Sequence, residues 1–193
     1  MKLNSEYWEN RYQNLQTGWD AGQITTPIKA YIDQLEDKNI KILIPGCGNS
    51  YEFEYLIQKG FQNTHVLDYA ETPLENLKKR IPNYPKDQLI LGDFFDHHET
   101  YDLIIEQTFF CALDPELRKN YAQKMYSLLK PKGKIAGLLF QFPLTESGPP
   151  FGGSKESYIE LFSPLFQIRK LETAYNSIKP RQENELFFIF TKK

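Results

Sequence analysis

Lys41-Ile42-Leu43-Ile44-Pro45-Gly46-Cys47-Gly48-Asn49-Ser50-Tyr51 is the stretch on which the fold turns. An apolar run of strand length reaches two glycines one residue apart, and polar helix-starting residues follow. The pattern predicts a buried strand, a tight turn and a helix N-terminus, the place where a parallel α/β sheet receives a nucleotide-like ligand. Glycine is needed there because it turns the backbone sharply and lets a ligand approach the main chain with no Cβ in the way. Taken alone, the same letters also describe an ordinary strand-to-helix turn with no ligand. The flanking sequence has to decide.

Strand and helix signals alternate on the C-terminal side. Ile40–Pro45 is expected as the first strand, Ser50–Lys59 as a helix stopped by Gly60, and Thr64–Asp68 as the second strand. Thr72-Pro73 has the form of a helix start running to Arg80. Further strands are expected at Gln88–Leu91, Tyr101–Ile105 and Lys134–Phe140, with a helix opened by Asp114-Pro115 before the last of these. After the loop Gly148–Gly153 come a helix over Ser157–Phe162 and two strands, Phe166–Glu172 and Leu186–Thr191, close enough to pair as an antiparallel hairpin. The alternation predicts an α/β fold: one Rossmann-like, seven-stranded, mostly parallel sheet with helices on both faces and an antiparallel C-terminal hairpin.

The N-terminal side differs. Glu6–Gln13 has helical character with a partly apolar face, Gly18 is expected to stop it, and Pro27 to open a second short helix reaching Leu35. Both tryptophans of the chain, Trp8 and Trp19, fall here. Residues 1–35 are therefore expected as a helical lid on a core spanning 36–193, the whole forming one domain. The competing reading makes the tryptophans packing anchors.

Bulk properties exclude several classes. The chain has 193 residues, 23 basic and 25 acidic side chains and a formal charge of −2, so no basic face calls for nucleic acid or an anionic membrane. The apolar runs are strand-length, too short to span a bilayer. The first residues lack the apolar centre of a signal peptide, and two cysteines, Cys47 and Cys111, suggest no disulfide framework. A cytoplasmic monomer is the expectation.

Seven strands in this arrangement resemble the class I S-adenosylmethionine-dependent methyltransferases. Trp8, Tyr12 and the run Trp19-Asp20-Ala21-Gly22-Gln23-Ile24-Thr25 resemble the N-terminal segment of the thiopurine S-methyltransferase superfamily. So do Pro45-Gly46-Cys47-Gly48, Asp93-Phe94-Phe95, Phe110-Cys111-Ala112-Leu113-Asp114-Pro115-Glu116-Leu117-Arg118 and Gly148-Pro149-Pro150-Phe151. Within it the chain is most similar to the halide/thiol methyltransferase branch, and the similarity covers nearly its whole length.

The expected cofactor is S-adenosylmethionine. Gly46 and Gly48 would pass its methionine part close to the backbone; the missing third glycine, with Tyr51 in its place, speaks against a dinucleotide pyrophosphate. Asp68, at a strand end 20 residues beyond Gly48, has the position of a ribose-binding carboxylate. The resemblance puts Asp93 and Phe94 at the adenine, although an Asp there also reads as a turn cap. Glu106 ends an apolar strand where a carboxylate needs a partner; the cofactor's ammonium would serve, and the resemblance places an acidic cofactor residue there. Trp8, Tyr12 and Trp19 can close over the cationic sulfonium. Phe109, Phe110 and Phe151 are expected to line the pocket of a small-molecule methyl acceptor. Arg181, matched by resemblance, would attract an anionic acceptor or remain a solvated arginine. Gln107 falls where the thiopurine branch carries arginine, which puts thiopurine recognition in doubt. No general base and no metal set emerges: His65, His97 and His98 read as packing or surface residues and Cys111 as an inert buried thiol. Chemistry on an acceptor that is already an anion needs no base. Methyl transfer to a small soft nucleophile by in-line displacement is the expected activity. A non-catalytic module of this fold and a nicotinamide oxidoreductase are the alternatives.

Overall fold

The computed structural model describes residues 3–193. Strands β1 (Ile42–Pro45), β2 (Thr64–Asp68), β3 (Leu89–Leu91), β4 (Tyr101–Glu106), β5 (Leu129–Phe140), β6 (Phe166–Thr173) and β7 (Glu185–Lys192) form one sheet in the order β3-β2-β1-β4-β5-β7-β6. β1 lies between β2 and β4 and is parallel to both. The chain winds outward from β1 in one direction and from β4 in the other, so the sheet reverses between them. A crevice therefore opens above the carboxyl ends of β1 and β4.

The apolar runs are continuous because both faces are buried. Leu43 and Ile104 face a layer made by α5 (Arg118–Ser127) and α6 (Lys155–Phe162), with Tyr121, Met125, Tyr158 and Phe162 at its centre. Ile42, Ile44, Leu103 and Ile105 face the opposite layer, made by α2 (Thr26–Asp33), α3 (Tyr51–Gln58) and α4 (Glu71–Arg80). The expected antiparallel pair is present, with β6 rather than β7 at the edge of the sheet. β7 inserts between β5 and β6, antiparallel to each. Composition explains the order. Leu186-Phe187-Phe188-Ile189-Phe190 is apolar on both faces and belongs inside, whereas exposed Gln167, Arg169, Lys170 and Glu172 suit β6 to an edge.

Two expectations about the N-terminal segment are corrected. The helix α1 (Ser5–Gln13) ends at Asn14, with Leu15 at φ 54°, so Gly18 is not its stop. And α2 belongs to the body rather than to a lid: Ile28 and Ile32 are fully buried against β1 and α3. Each such side chain contributes roughly 1.5–3 kcal/mol by leaving water. Only the segment up to Thr25 lies over the crevice. Among the described residues no helix is long and apolar enough to cross a membrane.

A contact between α1 and α4 holds that segment down. Thr72-Pro73 does not open α4; the helix begins at Glu71, after Ala70, and has no cap from its own sequence. Glu9 of α1 supplies one instead. Its carboxylate accepts the Glu71 N–H at 2.9 Å, the Thr72 N–H at 3.0 Å and the Thr72 hydroxyl. Burial works against the Glu9 anion, but these donors outweigh it and hold its pKa below the ordinary value. The Ser5 hydroxyl adds a bond to the Tyr69 carbonyl at 2.7 Å. Glu9→Ala should lower unfolding stability in urea by about 1 kcal/mol, the usual worth of a helix cap. It should also speed proteolysis within residues 3–25 while leaving cleavage elsewhere unchanged.

Candidate active site

The crevice is a cavity of about 670 Å³. Its floor is the glycine turn. Gly46 and Gly48 adopt φ 55° and 54°, left-handed backbone that other residues reach only with strain. A Cβ on Gly46 would lie 2.2 Å from the Phe109 ring, and one on Gly48 2.8 Å from the Tyr12 hydroxyl. Ser50 is also left-handed, at φ 48°, and its buried hydroxyl has no partner.

Carboxylates stand around this floor. Asp68, at the end of β2, is 6% exposed; it accepts the Gly48 N–H at 2.8 Å and the Ala70 N–H at 2.9 Å, one on each oxygen. Each oxygen retains capacity for a further donor. Burial pushes its pKa up to about 6 despite these bonds. Asp93 follows β3 and accepts the Phe95 N–H at 2.8 Å, so the turn-capping role is real, and it also lines the cavity. Asp20, from the segment over the crevice, receives the Gly22 N–H at 2.7 Å and the Asn49 amide. Glu52, in the first turn of α3, also reaches the cavity and was not anticipated. It is 8% exposed, and burial pushes its pKa from the ordinary 4.5 up to about 7. A signal was available: Glu52 shares a helix face with Leu56, four residues on, whereas Glu54 turns outward to Arg80.

Trp8, Tyr12 and Trp19 form one cluster above the turn. Trp19 meets Trp8 edge-on at 5.5 Å and Tyr12 at 5.6 Å between ring centres, and all three line the cavity. The Arg11 guanidinium lies 5.6 Å from the Trp19 ring, with its Nε buried and unpaired. The aromatics are thus packing anchors for one another and the roof of the cavity at once.

Three expected site residues lie elsewhere. Glu106 is fully buried behind the wall, with its charge met from within the chain. Oε1 accepts the Phe109 and Phe110 N–H groups at 3.0 and 2.9 Å, and Oε2 accepts the Tyr121 hydroxyl at 2.5 Å. The expected ammonium partner is replaced by these donors, and Glu106 shapes the turn after β4. Phe110 points into the core against Tyr121, Tyr158 and Phe162. Phe151 packs over Gly148 and its N–H bonds the Cys111 carbonyl; Pro149 and Pro150 face the cavity in its place. Phe94, Phe109 and Arg181 do line it. Arg181 is buried, not solvated: it donates to the Trp19 carbonyl and meets Glu185 Oε1 at 3.5 Å. Cys111 borders the cavity with its thiol pKa pushed up by burial. His65 and His97 pack around Tyr101, away from it.

The sequence model of the thiopurine S-methyltransferase family matches residues 3–192. The chain belongs to that family. Among relatives of the family member, a probable thiol methyltransferase 2 of Arabidopsis thaliana is 33% identical over 92% of this chain and 81% of its own length. A thiocyanate methyltransferase 1 of Brassica oleracea is 29% identical over the same shares. In fold, the 1,6-didemethyltoxoflavin-N1-methyltransferase of Burkholderia thailandensis, crystallised with S-adenosylhomocysteine, superposes with a TM-score of 0.79. It is 15% identical over 98% of this chain and 87% of that one. This member of the thiopurine S-methyltransferase family is an S-adenosylmethionine-dependent methyltransferase, and its cavity fits the cofactor: a cradle without Cβ atoms, carboxylates at two successive strand ends and an aromatic roof suited to a cation.

The role found for Glu106 makes a prediction for this enzyme. Glu106→Ala strands the buried Phe110 N–H, the partly buried Phe109 N–H and a buried tyrosine hydroxyl, at about 1–3 kcal/mol for each buried group. The variant should lose about 3 kcal/mol or more, read as a fall in the urea midpoint.

Proposed function

We propose that this enzyme methylates a small soft nucleophile, a thiol, thiocyanate or halide, and that the acceptor sits between Phe109, Leu113, Leu117, Phe140 and the Pro149-Pro150 step. The observation that carries the reading is the make-up of this end of the cavity. The side chains named are apolar, Asp114 between Leu113 and Leu117 spends its carboxylate on capping the turn before α5, and no histidine among the described residues borders the cavity. An acceptor that is already an anion, or a thiol that ionises readily, reacts there without a base at the moment of attack.

The bound cofactor supplies a methyl group on a cationic sulfur. Everything else falls to the chain. Asp68 would accept the ribose hydroxyls on its two remaining lone pairs. Asp93 and Phe94 would border the adenine, with the Phe94 ring edge-on to Phe109 at 5.1 Å between centres. Trp8, Tyr12 and Trp19 would shield the sulfonium and exclude water. Arg181 would lend positive potential to an anionic acceptor, since Glu185 compensates it only at 3.5 Å. The relatives named for thiol and thiocyanate acceptors support the class. Gln107, neutral and held by the Thr25 hydroxyl at 2.7 Å, speaks against thiopurines as the main acceptors. Two free buried cysteines accord with a reducing cytoplasm, where we place this enzyme as a monomer.

A panel run with labelled methyl donor tests the acceptor. Transfer to hydrogen sulfide, a small thiol, thiocyanate or iodide is expected, with a thiopurine slower by at least tenfold. No transfer to any sulfur or halide acceptor would sink the proposal. Asp68→Ala should weaken S-adenosylhomocysteine binding in calorimetry by about 1 kcal/mol or more, the scale of a hydrogen bond to a charged group; unchanged affinity removes Asp68 from the site.

A further inference from the structure

The cofactor's methionine part carries an α-ammonium, and the structure takes away the residue expected to meet it. Glu106 is enclosed and served by three donors of its own chain. Five other carboxylates line the cavity: Asp20, Glu52, Asp68, Asp93 and Asp114. Four have work within the fold. Asp68 and Asp93 hold the backbone N–H groups described above. Asp20 ties the covering segment to Asn49 and Gly22. Asp114 accepts the Glu116 N–H at 2.9 Å and caps the turn before α5. Glu52 is different: its own backbone N–H is the one group that hydrogen-bonds its carboxylate, and among the described residues no side chain and no other residue's backbone donates to it.

An isolated buried carboxylate is costly, and a protein retains one where something outside the chain compensates it. The groups around Glu52 do not. Asp20, from the covering segment, opposes its ionisation. Arg181, from the turn before β7, favours it, but its guanidinium donates to the Trp19 carbonyl and Glu185. Arg80, at the end of α4, also favours it, but bonds Glu54 and the Asn49 carbonyl. The Cys47 thiol of the glycine turn is neutral, its pKa raised well above the ordinary value by burial. Burial dominates, which is why the Glu52 carboxyl titrates near 7. The residue stands two positions after Ser50, on the wall shared with Gly46 and Gly48. These are the two glycines expected from the sequence to pass the methionine part close to the backbone.

We infer that Glu52 is the residue that binds the α-ammonium of the cofactor's methionine moiety, the role expected above for Glu106 at the end of β4. This rests on the cofactor placement in the preceding subsection. It has a consequence of definite sign. The free enzyme holds Glu52 partly protonated at pH 7, and an adjacent ammonium favours the anion, so binding releases a proton. Affinity for the intact cofactor product should therefore rise from pH 5.5 to 7.5, below the range where an α-amino group itself loses its proton.

The test is calorimetry on the full chain with two probes, S-adenosylhomocysteine and 5′-methylthioadenosine, which lacks the amino-acid end. Glu52→Gln should weaken S-adenosylhomocysteine at least tenfold and leave 5′-methylthioadenosine within twofold of wild type. Proton uptake or release is read from binding heats in two buffers of different ionisation enthalpy at pH 7. The wild type should release a proton fraction that Glu52→Gln does not. A loss smaller than tenfold, or equal weakening of both probes, overturns the assignment. If Glu52→Gln fails to fold, the wild-type measurement decides: no proton release at pH 7 overturns it. Failure of the wild type to bind S-adenosylhomocysteine would instead overturn the cofactor placement itself.

Discussion

The Asp68–Gly48 hydrogen bond is the constraint from which the site follows. Two residues in left-handed backbone flank Cys47, and within the turn the Ser50 N–H donates to the Cys47 carbonyl at 3.0 Å. The Cys47 N–H reaches the Leu67 carbonyl at 3.1 Å and the Gly48 N–H reaches Asp68 at 2.8 Å, so the end of β2 fixes the turn that ends β1. Because Gly46 has no side chain, the Phe109 ring from beyond β4 occupies that space; because Gly48 has none, the Tyr12 hydroxyl of α1 does. One turn thereby sets the position of the wall after β4 and of the roof from the N-terminal segment. Asp68 braces the cradle, and in the reading proposed above the same carboxylate offers its remaining lone pairs to the ribose.

The roof depends on contacts that each satisfy a need elsewhere. α4 lacks a cap of its own, and Glu9 provides it. Arg181 is buried and has a donor to spare, and the Trp19 carbonyl accepts it. Asn49 needs an acceptor, and Asp20 is within reach. The N-terminal segment thus covers the cavity through polar bonds at its margin, with aromatic rings between. Such margins open at low cost while the sheet stays intact, which a buried transfer site requires if ligands are to enter and leave.

Much of the fold was legible because its signals are local. A strand buried on both faces reads as an apolar run, and glycine beside it reads as a turn. Asp68 was legible too, since its position follows from counting along one strand–helix–strand unit. What was not legible depended on direction. Glu106 and Glu52 are both glutamates next to apolar neighbours; the expectation attached to Glu106, which is enclosed, and passed over Glu52, which lines the cavity. Glu106 ends a strand and is followed by a backward turn that delivers Phe109 and Phe110 N–H groups to its carboxylate; no residue pattern announces that turn. Glu52 looked like one of the acidic residues usual in a first helical turn, although its spacing to Leu56 put it on the inward face. The order of β6 and β7 was left open for a related reason: hairpin proximity says that two strands pair, and only the contrast between Phe187-Phe188-Ile189 and Arg169-Lys170 says which of them is inside.

The carboxylates also explain what the site costs. Asp68, Glu52 and Glu106 all titrate above their ordinary range, first because burial disfavours the anion. A carboxyl raised in the folded state contributes stability that is fully present below its unfolded value and lost as pH rises through its folded one. The three therefore draw stability from the fold between about pH 4 and 7. Glu106 recovers part of this through Tyr121 and two N–H groups, and Asp68 through its own N–H donors. Glu52 recovers only what its own N–H and the more distant Arg181 and Arg80 supply; its move from 4.5 to about 7 withholds on the order of 3 kcal/mol at pH 8. On the assignment proposed above, a cation that binds only the folded state would return stability there and offset the deficit by mass action. The aromatic layer around Tyr121, Phe162, Phe188 and Phe190, fully enclosed on the far side of the sheet, is what lets the fold carry it meanwhile.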